Sequence, residues 1–185
     1  MTAAPDPLHP SGSQSSAPII VTAMMGAEGF AWADALRRAH FPPERNWLKA
    51  HITLFHHLPP SCINELIQLM RREVVAPPPP ARLSAVMSLG RGVAYRVESD
   101  DLLDIRARLA EAFQGLLTPQ DQHIPQLHIT VQNKVDPAVA KALQAELSRG
   151  FHPRPLSIVG LAAHYYRGGP WELAGQVKFR GHSRT

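Results

Sequence analysis

The sequence of 185 residues is poor in cysteine and in charge, and it has no long apolar run. Its single cysteine, Cys62, excludes an internal disulfide and any metal site built from several thiolates. The longest uncharged apolar stretch, residues 17–27, is too short to span a bilayer. The first seventeen residues contain neither Lys nor Arg, unlike a signal peptide. We therefore expect a cytoplasmic protein that does not enter the membrane.

The sequence does contain enough apolar material for one core. Hydrophobic residues make up 44% of the chain and charged residues 18%, a balance typical of a folded domain. The formal net charge of +4 suits a partner that carries phosphate. This net charge is far smaller than that of proteins that bind long nucleic acids through a polybasic surface.

The pattern along the chain predicts one domain after a tail. Residues 1–17 are mostly Pro, Ser, Ala and Gly and predict a disordered segment, so the domain is expected over residues 18–185. Within it, β-type runs and amphipathic helical patterns are mixed, and two β-type runs flank the glycine-rich turn at residues 90–92. This mixture favours an α+β fold over a parallel, doubly wound sheet.

A four-residue motif occurs twice. The letters His-Ile-Thr-Leu at residues 51–54 recur as His-Ile-Thr-Val at residues 128–131. At the same offset Leu58 matches Val135, and Pro60 matches Pro137. The repeated unit is therefore a strand, a turn and a helix, which predicts two related halves.

Strand geometry turns the motif into a chemical prediction. Because side chains alternate across a strand, the polar residues of each copy should share one face, with the aliphatic residues behind them. The first face then carries His51, Thr53 and Phe55, and the second carries His128, Thr130 and Gln132. If the two halves pack about a pseudo-two-fold axis, these faces meet.

Two imidazoles and two hydroxyls around one space suit phosphoryl chemistry. One histidine can accept a proton from a nucleophile while the other donates a proton to the leaving oxygen. The threonine hydroxyls can hydrogen-bond the non-bridging oxygens of a phosphoryl group. This chemistry requires neither a metal nor another cofactor, and we expect none.

These motifs resemble those of the two-histidine (2H) phosphoesterase superfamily, whose mark is a pair of His-hydrophobic-Thr/Ser-hydrophobic sequences. The chain is most similar to the bacterial branch of 2′-5′ RNA ligase-like and cyclic phosphodiesterase proteins. The resemblance rests on residues 51–58, 117–121 and 128–135 and on the closing segments 169–172 and 179–181.

The resemblance implies a bilobal α+β fold in which two antiparallel sheets line a central cleft, with helices on the outer faces. It implies action on 2′,3′-cyclic or 2′-5′ phosphodiesters at RNA 3′ ends or in small nucleotides, by hydrolysis or by reversible ligation. His51 and His128 would be the general acid and base, in an order that the motifs leave open, and Thr53 and Thr130 would bind phosphate. Relatives that open 2′,3′-cyclic phosphates usually leave a 2′-phosphate. We expect a monomer.

Four further residues are candidates for substrate binding. Phe55 could stack a base or be a packed aromatic, and Gln132 could line the cleft or lie on the surface. Arg91, at the tip of a hairpin, could contact phosphate or be a solvated turn residue. Tyr166 could stack on a nucleotide, although an ordinary hairpin edge accounts for it as well.

Two rival interpretations remain open. The same cleft could serve a non-catalytic module that binds RNA or a nucleotide. Alternatively, His51 could join His56 and His57 in a metal-dependent hydrolase, although no Asp, Glu or Cys stands at ligand spacing beside them.

Overall fold

A computed structural model describes residues 17–181. The predicted tail therefore lies outside the described residues, apart from Ala17, which is buried. The predicted domain is described except for residues 182–185.

Strands and helices alternate irregularly along these residues. The strands are β1 Ile19–Met25, β2 Ile52–Leu58, β3 Arg82–Ser88, β4 Val93–Glu98, β5 His128–Gln132, β6 Arg154–Pro155, β7 Ile158–Tyr165 and β8 Glu172–Lys178. The helices are α1 Ala27–His40, α2 Ile63–Glu73, α3 Asp100–Ala112, α4 Pro119–Gln122 and α5 Pro137–Arg149. The α+β prediction is confirmed.

All strands of the described chain belong to one antiparallel sheet, in the order β6-β3-β4-β5-β2-β1-β7-β8. The two motif strands, β2 and β5, are neighbours at its centre, with Ile52 opposite Ile129. Each motif strand is the innermost strand of a four-stranded half, so the predicted duplication is visible in the topology. The predicted pair of separate sheets is instead one continuous sheet, because that central pairing joins the halves.

The two halves separate beyond the central pairing, and buried side chains bond the backbone groups left free there. On β2, the Asp121 carboxylate accepts hydrogen bonds from the backbone amides of His56 (2.9 Å) and His57 (2.8 Å). Arg106 donates to the Leu54 carbonyl at 3.3 Å. Backbone polar groups withdrawn from water require such partners, so these hydrogen bonds stabilise the separation of β2 from β5 beyond their central pairing.

The helices pack against the face of the sheet that carries Ile52 and Ile129. Both isoleucines are fully buried in the main core cluster, together with residues of α2 and α3. On the same face, the Tyr95 ring contacts Trp32 of α1 at 4.8 Å and Phe151, just after α5, at 5.3 Å. The opposite face of the central strands is left to line a cleft.

Local signals place several of these elements. Ser99 caps α3 by accepting a hydrogen bond from the Leu102 amide at 3.2 Å, as its position before the helical pattern predicts. Helix α5 begins at Pro137, directly after Asp136, and proline is favoured at the first position of a helix because the N–H that it lacks would have no partner there. None of the helices in residues 17–181 is long and apolar enough to cross a membrane.

Candidate active site

The two motif histidines occupy equivalent positions at the central seam. In each, Nδ1 lies 2.7 Å from the backbone carbonyl two residues earlier, that of Lys49 for His51 and that of Gln126 for His128. A carbonyl oxygen only accepts hydrogen bonds, so each Nδ1 carries a proton and donates it. Both imidazoles are half-buried. Each ring is therefore oriented so that its Nε2 is available to a ligand.

The register of the seam crosses the two motifs. In an antiparallel pair with Ile52 opposite Ile129, position 51 is opposite position 130, and position 53 is opposite position 128. Each histidine thus lies beside the threonine of the other motif. Thr53 and Thr130 are half-buried, and both lie on the face opposite the buried isoleucines. The structure therefore brings all four motif residues to one face of the seam.

Each motif strand carries an extra residue just after its threonine. On β2, Thr53 pairs with Thr22 and Phe55 with Val21, so Leu54 has no partner of its own. On β5, Thr130 pairs with Ala94 and Gln132 with Val93, so Val131 is the extra residue. Such a β-bulge shifts the alternation of side chains by one residue. The duplicated halves share this irregularity as well as the motif.

The bulges overturn the expectation that Phe55 and Gln132 face the cleft. Phe55 is fully buried in the core, with the Arg106 guanidinium 4.6 Å from its ring centroid. Gln132 is 5% exposed and pairs with Val93, a core residue. Both side chains have been turned to the helix-packed face, so neither is placed to contact a ligand in the cleft.

Arg91 and Tyr166 also lie away from the motif histidines. Arg91 is exposed in the turn between β3 and β4, and its carbonyl accepts a hydrogen bond from the Val135 amide at 3.1 Å. Tyr166 follows the end of β7 and is 44% exposed. Neither belongs to the cavity that adjoins His51.

An aromatic residue covers His51. The Trp171 ring, between β7 and β8, lies 4.5 Å from the His51 ring. Burial lowers the pKa of His51 from its ordinary value to about 4. The hydrogen bond to Lys49 opposes this shift, whereas the positive charge of Arg37 and those of neighbouring histidines add to it. His51 is therefore neutral at physiological pH, with a free lone pair on Nε2.

A third histidine joins this side of the cleft. His164 of β7 lies with its Nε2 3.2 Å from the Thr22 hydroxyl and its ring 5.5 Å from Trp171. Burial lowers its pKa as well. Sequence analysis did not single out His164, because only the pairing of β7 with β1 brings it next to the first motif. Trp171 belongs to the closing segment that carries the resemblance, but its place beside His51 could not be read from the sequence.

A cavity of about 540 Å³ opens beside His51. Its walls are mainly apolar and aromatic, with a few polar groups among them. The lining includes Thr22, Phe30, Trp47, His51, His164, Trp171 and Gln176. A mostly apolar cleft with a few convergent polar groups is typical of a small-molecule site.

Helix α1 braces both motifs through two buried charged residues that sequence analysis missed. Asp34 accepts a hydrogen bond from the Ala50 amide, next to the first motif, at 3.0 Å. Arg37 donates to the Thr130 carbonyl, inside the second motif, at 3.0 Å. Both residues are 4% exposed. Charged residues at positions that continue the buried stripe of a helix are the signal that could have found them.

The alternative metal grouping of His51, His56 and His57 is not formed. His56 Nδ1 lies 3.2 Å from Asp121, whereas His51 Nδ1 is committed to Lys49. Among residues 17–181, no group of three or more His, Cys, Asp or Glu side chains is placed to hold a metal ion. The hydrogen bonds from His56 and His57 outweigh the opposing effect of burial and lower the pKa of Asp121, which suits a structural carboxylate.

The arrangement defines a class of protein: paired histidine-threonine strands at the seam of a duplicated α+β sheet. The model of the 2′-5′ RNA ligase superfamily matches residues 27–170. The chain therefore belongs to this superfamily of 2H phosphoesterases. No curated protein matches the sequence significantly.

Solved structures share the fold at low identity. Escherichia coli LigT complexed with 3′-AMP is 17% identical, with a TM-score of 0.61 over 89% of this chain and 99% of that one. The same protein complexed with NADP+ is 16% identical, with a TM-score of 0.57 over 88% and 98%. The protein TT0787 of Thermus thermophilus is 16% identical, with a TM-score of 0.57 over 89% and 98%. These likenesses establish a LigT-like fold.

Proposed function

We propose that this protein is a metal-independent phosphodiesterase that opens 2′,3′-cyclic or 2′-5′ phosphodiesters of RNA ends or small nucleotides. The observation that carries the proposal is the matched pair of imidazoles, each held by a 2.7 Å bond at Nδ1 and each beside the threonine of the other motif. That geometry supports two proton transfers at one phosphorus centre.

The burial of His51 assigns it the role of general base in this proposal. A base must be unprotonated in the resting enzyme, and a pKa of about 4 keeps His51 neutral at physiological pH. Its proton-free Nε2 would accept a proton from the attacking water. His128, its partner in the other half, would donate a proton from its Nε2 to the leaving oxygen.

For a 2′,3′-cyclic phosphate the step balances as a hydrolysis. A bond forms between the water oxygen and phosphorus, and the bond between phosphorus and the 3′-oxygen breaks. One proton passes from the water to His51 and one from His128 to the 3′-oxygen, which leaves a 2′-phosphate. Thr53 and Thr130 would hydrogen-bond the non-bridging oxygens, where negative charge develops. Exchange with solvent then restores both histidines.

The cavity beside His51 is proposed to hold the nucleobase. Its aromatic walls, Phe30, Trp47 and Trp171, offer flat apolar surfaces on which a base can stack. The nucleotides present in crystals of E. coli LigT, 3′-AMP and NADP+, support a ligand of this size. Small nucleotides and RNA ends both present such a base next to the reacting phosphate.

Incubation with 2′,3′-cyclic AMP in excess chelator tests the proposal. We expect conversion to 2′-AMP, detected by chromatography that separates the 2′- and 3′-isomers, and loss of conversion in His51→Ala. A protein that binds the nucleotide equally well with and without His51 and never converts it would instead be a binding module. Activity that disappears with chelator and returns with a divalent metal would contradict the metal-independent mechanism.

A further inference from the structure

Arg96 is a basic residue next to His128 in the sheet. It lies on β4 directly opposite His128 of β5, and Ala94 is likewise opposite Thr130. Directly opposed residues of antiparallel strands project from the same face, with Cβ atoms about 5 Å apart. Val93, Tyr95 and Val97, which alternate with Arg96, are buried in the core on the other face. Arg96 therefore lies on the face that carries the motif residues.

The Arg96 guanidinium is not fully satisfied within the protein. Its Nε is buried and has no hydrogen-bond partner among residues 17–181. Glu98, the next residue along the same face of β4, is held by Arg82 at 2.6 and 2.9 Å. The hydrogen bond from Arg82 is the main reason that the pKa of Glu98 is lowered, and the charge of Arg96 adds to the shift without a hydrogen bond between the two. Buried donors in folded proteins nearly always have partners. An unpaired guanidinium nitrogen beside the proposed phosphate site can therefore bind an external anion.

The neighbours of Arg96 on β3 do not neutralise its charge. On β3, Ala85 lies opposite Arg96 and Met87 lies opposite Ala94. These neighbours are small or apolar and half-buried, and neither carries a charge that could neutralise the arginine. The planar guanidinium can pair with two oxygens of a phosphate at once.

We infer that Arg96 binds a second phosphate of the substrate, the one on the 5′ side of the nucleoside whose 2′,3′-phosphate is opened. This inference rests on the proposed function. The scissile phosphate has four partners at the seam, namely the two histidines and two threonines, whereas Arg96 lies one strand further out. A ribose with its cyclic phosphate at the seam and its base beside His51 directs its 5′-substituent toward the half that carries Arg96. The substrate class is then a 5′-phosphorylated or oligonucleotide end.

The test compares two substrates that differ in this phosphate alone: 2′,3′-cyclic AMP and its 5′-phosphorylated form. For the wild-type protein we expect kcat/KM to favour the 5′-phosphorylated form by about ten- to hundredfold, the usual effect of a hydrogen-bonded charge pair. In Arg96→Gln this ratio should fall to near one. In Arg96→Lys, which keeps the positive charge and loses the paired N–H donors of the guanidinium, the ratio should be intermediate.

A matched control removes the same charge elsewhere. Arg149 is exposed at the end of α5, which packs on the opposite face of the sheet. Arg149→Gln should keep the wild-type ratio. The two-substrate comparison on the wild-type protein needs no variant, so it remains informative even if Arg96→Gln fails to fold.

The outcomes separate the inference from the proposed function. Conversion of both substrates at equal kcat/KM by the wild-type protein would overturn the role of Arg96 and leave the proposed function standing. A ratio that persists in Arg96→Gln would overturn it as well. Failure to convert either substrate would overturn the proposed function itself.

Discussion

The two halves of the sheet carry the same motif in different surroundings. In each, a histidine donates from Nδ1 to the carbonyl two residues earlier, and a bulge follows the threonine. Beside His51, however, the flanking strands supply an aromatic cavity with Trp171 and His164, whereas beside His128 they supply Arg96. The shared features position the groups that react. The differences can give each histidine its own role and can orient a nucleotide between them.

The largest expected effect comes from removing either of the two motif histidines. His51→Ala and His128→Ala should each lower kcat by about 10²- to 10⁴-fold, because each eliminates one of two proton transfers. The double variant should lose little more than either single variant, since the pair acts as one unit. Rates on 2′,3′-cyclic AMP measure this.

The exposed His123 provides the control for these substitutions. His123→Ala should keep wild-type kcat. If only one of the two motif histidines proved necessary, the equivalence of the two halves would not extend to the chemistry.

The side chains that the two bulges turn inward, Phe55 and Gln132, should contribute differently to the free energy of unfolding. Phe55→Ala removes a fully buried ring and should lower the free energy of unfolding by about 3–5 kcal/mol. Gln132→Met should change it by no more than about 1 kcal/mol, because the Gln132 Oε1 has no partner among the described residues and methionine fills similar space. Urea denaturation of both variants measures the difference. Equal losses would contradict the assignment of Phe55 to the core and of Gln132 to an unsatisfied site.

The smallest expected effect is a shift in the acidic limb of the pH profile of kcat/KM, which depends on His51 alone. His51 with a pKa of about 4 should lose its base form only as the pH falls through that value, so kcat/KM should hold down to mildly acidic pH. Trp171→Ala removes an aromatic cover from His51 and reduces its burial. The pKa should then rise toward its ordinary value near 6.5, and activity at pH 5 should fall relative to activity at pH 8.

The profile of kcat/KM against pH for the wild type and Trp171→Ala checks this. An acidic limb that stays in place when Trp171 is removed would show that burial by this ring does not set the basicity of His51. A wild-type limb near pH 6.5 would contradict the assignment of His51 as the buried base.

The sequence predicted the parts of the site that depend on local pattern. The repeated His-Ile-Thr letters placed His51 and His128 on matching strands, and alternation placed Ile52 and Ile129 in the core, as the structure confirms. Strand alternation in the sequence also indicates that Arg96 lies on the face opposite Val93, Tyr95 and Val97. This indication became meaningful only once the pairing of β4 with β5 was known.

The rest could not be predicted because it depends on tertiary pairing. A bulge inserts a residue without any marker in the letters, so Phe55 and Gln132 were assigned to the wrong face. Trp171 and His164 lie more than a hundred residues from His51 and reach it only through the pairing of β7 with β1. The union of two expected sheets into one likewise depends on the contact between Ile52 and Ile129.

A crystal structure of the protein with bound 2′-AMP tests the central claim most directly. The account predicts one phosphate at the seam, with its oxygens about 3 Å from Nε2 of both His51 and His128. A phosphate that contacts a single imidazole, or that binds away from the seam altogether, would contradict it.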